Sequence, residues 1–232
     1  MAILKGNMKY LILFLILLPT LVSAAESTCF GTTANGRLQG GVQLPASGPN
    51  FESYSATAQM VGRVYVHSSV RDIMLASYKS LETDLPDKVF KYAETGFAQG
   101  GQFKPHKTHR NGLSVDFMVP VVDAQGLSVH LPTHPLNRFG YDIEFTGRGE
   151  YGQLSIDYEA MGAHLVSLHK EAKRRGYDLW RVIFDPQLQP YLFKSKHGEY
   201  LRQNMQFSKK PSWVRHDEHY HVDFKIPCDA YF

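Results

Sequence analysis

Short apolar patterns along the chain are separated by long polar, glycine-rich stretches. Residues 64–66 (Val-Tyr-Val) predict a short strand. Val70, Ile73, Met74, Ser77 and Leu81 then recur at helical spacing, with Ser68 or Ser69 as the cap and Pro86 past the end. A second helix is predicted over residues 157–175, capped by Asp157 and stopped by Gly176. Met161, Leu165, Leu168 and Ala172 form its buried stripe, and Lys173, Arg174 and Arg175 suit its C-terminal end. Leu113, Val115, Phe117 and Val119 alternate with Ser114, Asp116 and Met118, the signature of a half-buried strand. Residues 179–184 and 220–226 read as two further strands. Residues 30–59, 93–112 and 123–155 carry many Gly, Pro, Asn and Ser and read as loops, and a loop as long as the last tends to carry function. Strands and helices without regular βαβ alternation predict an α+β fold, with a central, mainly antiparallel sheet flanked by helices and long loops.

The N-terminus departs from this pattern. Lys5 and Lys9 precede an unbroken apolar run, Leu11 to Leu18, and Ser23-Ala24-Ala25 follows. That order predicts a secretory leader over residues 1–25, cut after Ala24 or Ala25. The run is shorter than the ~20 residues of a membrane span. An uncut leader would instead tether the chain to the inner membrane, beside a larger envelope machine. Residues 26–232 are expected to form one domain. Of the net charge of +3, the leader supplies two lysines and no acid, leaving 23 basic against 22 acidic residues. Such a balance, without a basic run, gives no case for a nucleic-acid partner. The two cysteines, Cys29 and Cys228, stand near the ends of the mature chain and are expected to pair as a disulfide in an oxidising compartment.

The candidate chemistry lies in two histidine-rich stretches. His106 and His109 precede an Asn111-Gly112 turn signal, and Asp116 sits on the strand beyond it, pointing away from Val115 and Phe117. An imidazole and a carboxylate can therefore converge. In the second stretch, His216-Asp217-Glu218-His219-Tyr220-His221, the last two histidines project to one side of an extended strand. One of them can bind metal while its neighbour stands beside a reacting water. Two histidines and a carboxylate suit zinc and leave a fourth position open, as catalytic sites require. Zinc lowers the pKa of water bound there to ~7. His164 and His169, inside the second helix, read as packing or surface residues. No His-Glu-x-x-His helix and no Gly-x-Ser-x-Gly elbow occurs.

His106-x-x-His109-x(6)-Asp116 followed by His216-x-x-His219-x-His221 resembles the penicillin-insensitive murein endopeptidases, relatives of lysostaphin, the D-Ala-D-Ala metallopeptidases and the hedgehog domain. Asn35-Gly36-Arg37-Leu38 through Gly48-Pro49, Gly100-Gly101-Gln102-Phe103 and the paired end cysteines are similar too. The resemblance implies zinc held by His109, Asp116 and His221, with His219 as general base. It also implies His216 stabilising an oxyanion, and a further part for His106. It implies a periplasmic enzyme that cuts peptidoglycan cross-links as a D,D- or L,D-endopeptidase. The alternatives are a murein carboxypeptidase or amidase using the same site, or a non-catalytic, zinc-stabilised binding module. Asp185 stands where the family leads one to expect a histidine, and no mid-chain disulfide is present.

Overall fold

The computed structural model describes residues 26–212 and 214–232. The leader and the membrane tether expected of it lie outside the described residues. In chain order the strands and helices are β1 (Thr28–Gly31), β2 (Gly36–Gln39), β3 (Val42–Gln43), β4 (Phe51–Ser53), α1 (Ala56–Met60), β5 (Tyr65–Val66), α2 (Ser68–Asp84), β6 (Phe90–Tyr92) and β7 (Ser114–Met118). There follow β8 (Val121–Val122), β9 (Ser128–Val129), a 3-10 segment (Pro135–Gly140), β10 (Glu150–Tyr151), β11 (Leu154–Ile156), α3 (Tyr158–Arg174), β12 (Asp178–Ile183), α4 (Gln189–Leu192), α5 (Gly198–Asn204) and β13 (His219–Lys225).

The central sheet runs β12-β13-β7-β6-β4. It is antiparallel except for the β4–β6 pair. One face packs on α2 and α3. Val115, Phe117, Tyr220, Val222 and Phe224 point that way and are buried. On α3, His164 sits against the Phe117 and Tyr78 rings and shares a hydrogen bond with the Tyr220 hydroxyl. Burial drives this histidine down to about 3, so it is a neutral core residue, as the sequence suggested. His169 is likewise structural, bonded to Tyr200 and Asp178.

Three expectations need correction. The strand 113–119 is not half-buried: every residue of β7 is buried, because loops cover its polar face. The cap of α2 is neither serine: His67 accepts from the Ser69 N–H. Residues 123–155 are not one irregular loop, since β9, β10 and β11 join β8 in a second, four-stranded antiparallel sheet around the 3-10 segment. The second helix runs as expected, with the Asp157 carboxylate accepting from Ala160 N–H and Gly176 left-handed after its end. Cys29 and Cys228 form a disulfide that ties β1 to the segment after β13. Beside it the backbones of Cys29, Gly31 and Asp229 are hydrogen-bonded. Among the described residues no helix is long and apolar enough to cross a membrane.

Candidate active site

The site is laid out by strand register. β13 and β7 pair so that His221 lies opposite Asp116 and Asp223 opposite Ser114. β12 extends these rows, placing Ile183 beside His221 and Arg181 beside Asp223. Cross-strand neighbours on one face come within contact, and here they bond. His221 Nδ1 lies 2.8 Å from Asp116 Oδ1, and its Nε2 lies 2.8 Å from Asp223 Oδ1. Asp223 in turn accepts from the Ser114 hydroxyl at 2.6 Å and from Arg181 Nε at 2.9 Å.

The loop between β6 and β7 brings the other groups. His109 adopts φ 67, a left-handed conformation that histidine enters more readily than most side chains. Two glycines make room for this turn. A Cβ at Gly96 would lie 2.9 Å from the His109 carbonyl oxygen, and one at Gly112, itself at φ 78, 2.8 Å from the His67 nitrogen. The fully buried His109 ring donates its Nδ1–H to the Thr95 carbonyl at 3.1 Å. Its lone-pair nitrogen, Nε2, therefore faces Asp116 Oδ1 at 3.3 Å and has no hydrogen-bond partner. His106 Nε2 meets the Glu94 carboxylate, which also holds Arg63 and accepts from the Tyr54 hydroxyl. Burial would raise Glu94, but His106 and Arg63 hold it down at about 2. With Nε2 bonded to Glu94, His106 turns Nδ1 towards Asp116 Oδ2, 3.8 Å away.

The remaining side of the site comes from two loops. Tyr141, just after the 3-10 segment, donates its hydroxyl to Asp116 Oδ2 at 3.0 Å. His219 Nδ1 lies 2.7 Å from Glu218 Oε1, and its Nε2 is 3.8 Å from Asp116 Oδ2. Burial depresses His219 to about 4 and His216 to about 3, so both rings are neutral near pH 7. His216 gives Nδ1–H to the Val214 carbonyl at 2.9 Å. Its Nε2 is then an acceptor, able to donate to an oxyanion only after taking up a proton. The 216 segment is braced by Asp185, whose N–H bonds the His216 carbonyl and whose carboxylate faces Arg215.

His106, His216, His219 and His221 line one open cavity of about 770 Å³, with His109 and Asp116 buried beneath it. All six histidine and aspartate positions singled out in the sequence therefore meet. The sequence profile of the penicillin-insensitive murein endopeptidases matches residues 29–231. The chain belongs to that family. A search of curated proteins gives no match. As a murein endopeptidase family member with a disulfide, the chain suits an extracytoplasmic setting, where peptidoglycan is its substrate class.

The residues fit a metal ion on their own chemistry. His109 Nε2 and Asp116 Oδ1 are two acceptors face to face, and burial lowers His109 so that a proton is disfavoured between them. A cation resolves that contact. His106, His109 and Asp116 offer donor atoms within 4.8 Å of one another. The set implied by the resemblance has His221 in place of His106, and His221 Nδ1 lies closer to Asp116 than His106 does. Burial disfavours charge on His221, yet Asp223 and Asp116 overcome it and hold its imidazolium up at about 10. The metal-free chain thus keeps a proton on His221 beside Asp116. Asp223 was legible in principle, since His219-x-His221-x-Asp223 continues one strand face. Glu94, Tyr141, Arg63 and Arg181 gave no signal, because distant elements deliver them.

Proposed function

We propose that this family member is an exported zinc metallopeptidase of the periplasm that hydrolyses the peptide cross-links of murein. The observation that carries the reading is the buried His109 nitrogen facing the Asp116 carboxylate with no proton to share. In this reading His109, Asp116 and His221 hold the zinc, since imidazole nitrogen and carboxylate oxygen are zinc donors. Zinc would supply Lewis acidity towards the scissile carbonyl and a lowered pKa for the attacking water. His219 takes the proton from that water. Its low affinity for a proton in the resting chain keeps it neutral, and Nδ1–H given to the Glu218 carboxyl oxygen, a group that burial pushes up to about 8, leaves Nε2 as the basic nitrogen facing the site. His219 then returns the proton to the leaving amine. His216, tilted against His219 with ring centroids 4.4 Å apart, stands beside the developing negative charge and supports the site there.

The side chains around these groups hold them in place. Tyr141 fixes one oxygen of Asp116, and the Arg181–Asp223 pair fixes the His221 ring, as carboxylate partners do for metal-binding histidines. His106, anchored by Glu94, faces Asp116 from the other side and completes the polar wall of the site. The bond cut is D-alanyl to diaminopimelate or diaminopimelate to diaminopimelate. Digestion of purified cross-linked murein, read by chromatography and mass spectrometry, tests this. The proposal expects dimeric muropeptides to fall to monomers whose masses name the bond. Dimers left intact while single stem peptides are trimmed would establish a carboxypeptidase instead.

A further inference from the structure

Among the described residues, four cations line the cavity: Lys107, Arg138, Arg181 and Arg215. Two are committed to carboxylates of the framework. Arg181 pairs with the fully buried Asp223. Arg215 sits 2.9 Å from Asp217, 3.5 Å from Asp185 and 3.6 Å from Glu144. Arg138 is placed differently. Its guanidinium meets Asp142 at 3.4 Å, with both side chains largely exposed to water, a geometry in which an ion pair is weak.

The backbone beneath it is unusual. Arg138 (φ 48, ψ 43) and Phe139 (φ 57, ψ 39) are consecutive left-handed residues bearing side chains. L-residues avoid that conformation, and it persists where neighbours over-determine it and function uses it. Asn137 does the holding. Its Oδ1 accepts from His134 N–H at 3.0 Å and Gly140 N–H at 2.9 Å, and its Nδ2 donates to the Pro132 carbonyl at 2.8 Å. The Phe139 ring packs edge-on against Tyr54, and Tyr141 is bonded to Asp116. The turn carrying Arg138 is thus fastened both to itself and to the centre of the site.

We propose that Arg138 forms a subsite for a free carboxylate of the substrate, setting which stem peptide can lie on its side of the scissile bond. This rests on the murein reading above. Stem peptides joined partly through side-chain amides leave α-carboxylates free along their length. A guanidinium fork matches a planar carboxylate with two parallel hydrogen bonds, which a lysine cannot reproduce. Asp142 shares the guanidinium until substrate arrives.

The test compares two uncut muropeptide dimers, one with free carboxylates and one with the same groups amidated. Binding is measured by calorimetry in a His219→Ala background, with Arg138→Gly and Arg138→Lys added. Glycine tolerates φ 48, so Arg138→Gly removes the charge without stressing the fold and should melt no lower than its parent. The free dimer should bind about tenfold more weakly to Arg138→Gly, with Arg138→Lys in between, as loss of one charge-assisted contact implies. The amidated dimer should bind the parent about as weakly and ignore both substitutions. In the active enzyme Arg138→Gly should raise KM for the free dimer and leave kcat unchanged. Equal losses on both dimers, no loss on either, or a fall in kcat alone would overturn the subsite. A native chain that cleaves neither dimer would sink the murein reading, while the binding comparison would still decide the subsite.

Discussion

The Asp116 carboxylate is the hub of the site, touched by His221, Tyr141 and, at longer range, His109, His106 and His219. Burial opposes its charge, but the surrounding histidines hold its carboxyl well below the usual carboxylate range. The proton on His221 has a direct consequence. Below its pKa of about 10 a metal must displace that proton, so apparent zinc affinity should tighten by about tenfold per pH unit between about pH 6 and 8. Competition with a chromophoric chelator measures this, and a flat profile would contradict the ligand role of His221. Asp223→Asn should weaken zinc by ~10–100-fold, because the His221 ring loses its orienting carboxylate. His219→Ala should keep the metal and lose activity by about 100-fold or more. Near-normal turnover in that variant would remove His219 as the base.

At the scale of elements, β7 and β13 supply Asp116, His219 and His221 to the site because their alternation is maintained on both faces, apolar towards α2 and α3 and polar towards the site. That alternation is why Asp116, His219 and His221 were legible as a cluster, while His109 was legible from its place just before the Asn111-Gly112 turn. The helix over Tyr158–Arg174 was legible for a similar reason, with its stripe, its cap and its stop all agreeing. Removing the cap by Asp157→Ala should cost ~1 kcal/mol or more in a denaturant titration. The same change deletes the ion pair to Lys88 at 2.6 Å. What the sequence hid was the segment from β8 to β11. Its strands are two or three residues long, too short for a period to register, and its 3-10 turn rests on one asparagine side chain. The contributions of Tyr141 and Arg138 were hidden with it. β4 and β6 were missed for the same lack of length, and with them the approach of Glu94, two residues beyond β6.

The whole molecule is closed by its ends. The Cys29–Cys228 disulfide spans 199 residues, and in the chain-entropy account a loop that long stabilises by roughly 5 kcal/mol. Cys228→Ser should therefore lower the denaturant midpoint strongly while leaving the zinc stoichiometry of the folded fraction unchanged. Equal midpoints for the two proteins would mean that the staple does not restrain the unfolded chain. The family match over residues 29–231 and the meeting of His106, His109, His216, His219 and His221 at one cavity agree on a murein-cutting enzyme. The measurement that tests this most directly is a zinc titration of chelator-treated protein, followed by cleavage of dimeric muropeptides. Activity should be absent at the start, rise with added zinc and level off at one ion per chain. Cleavage that survives complete removal of metal would contradict the account, and so would zinc binding that restores none.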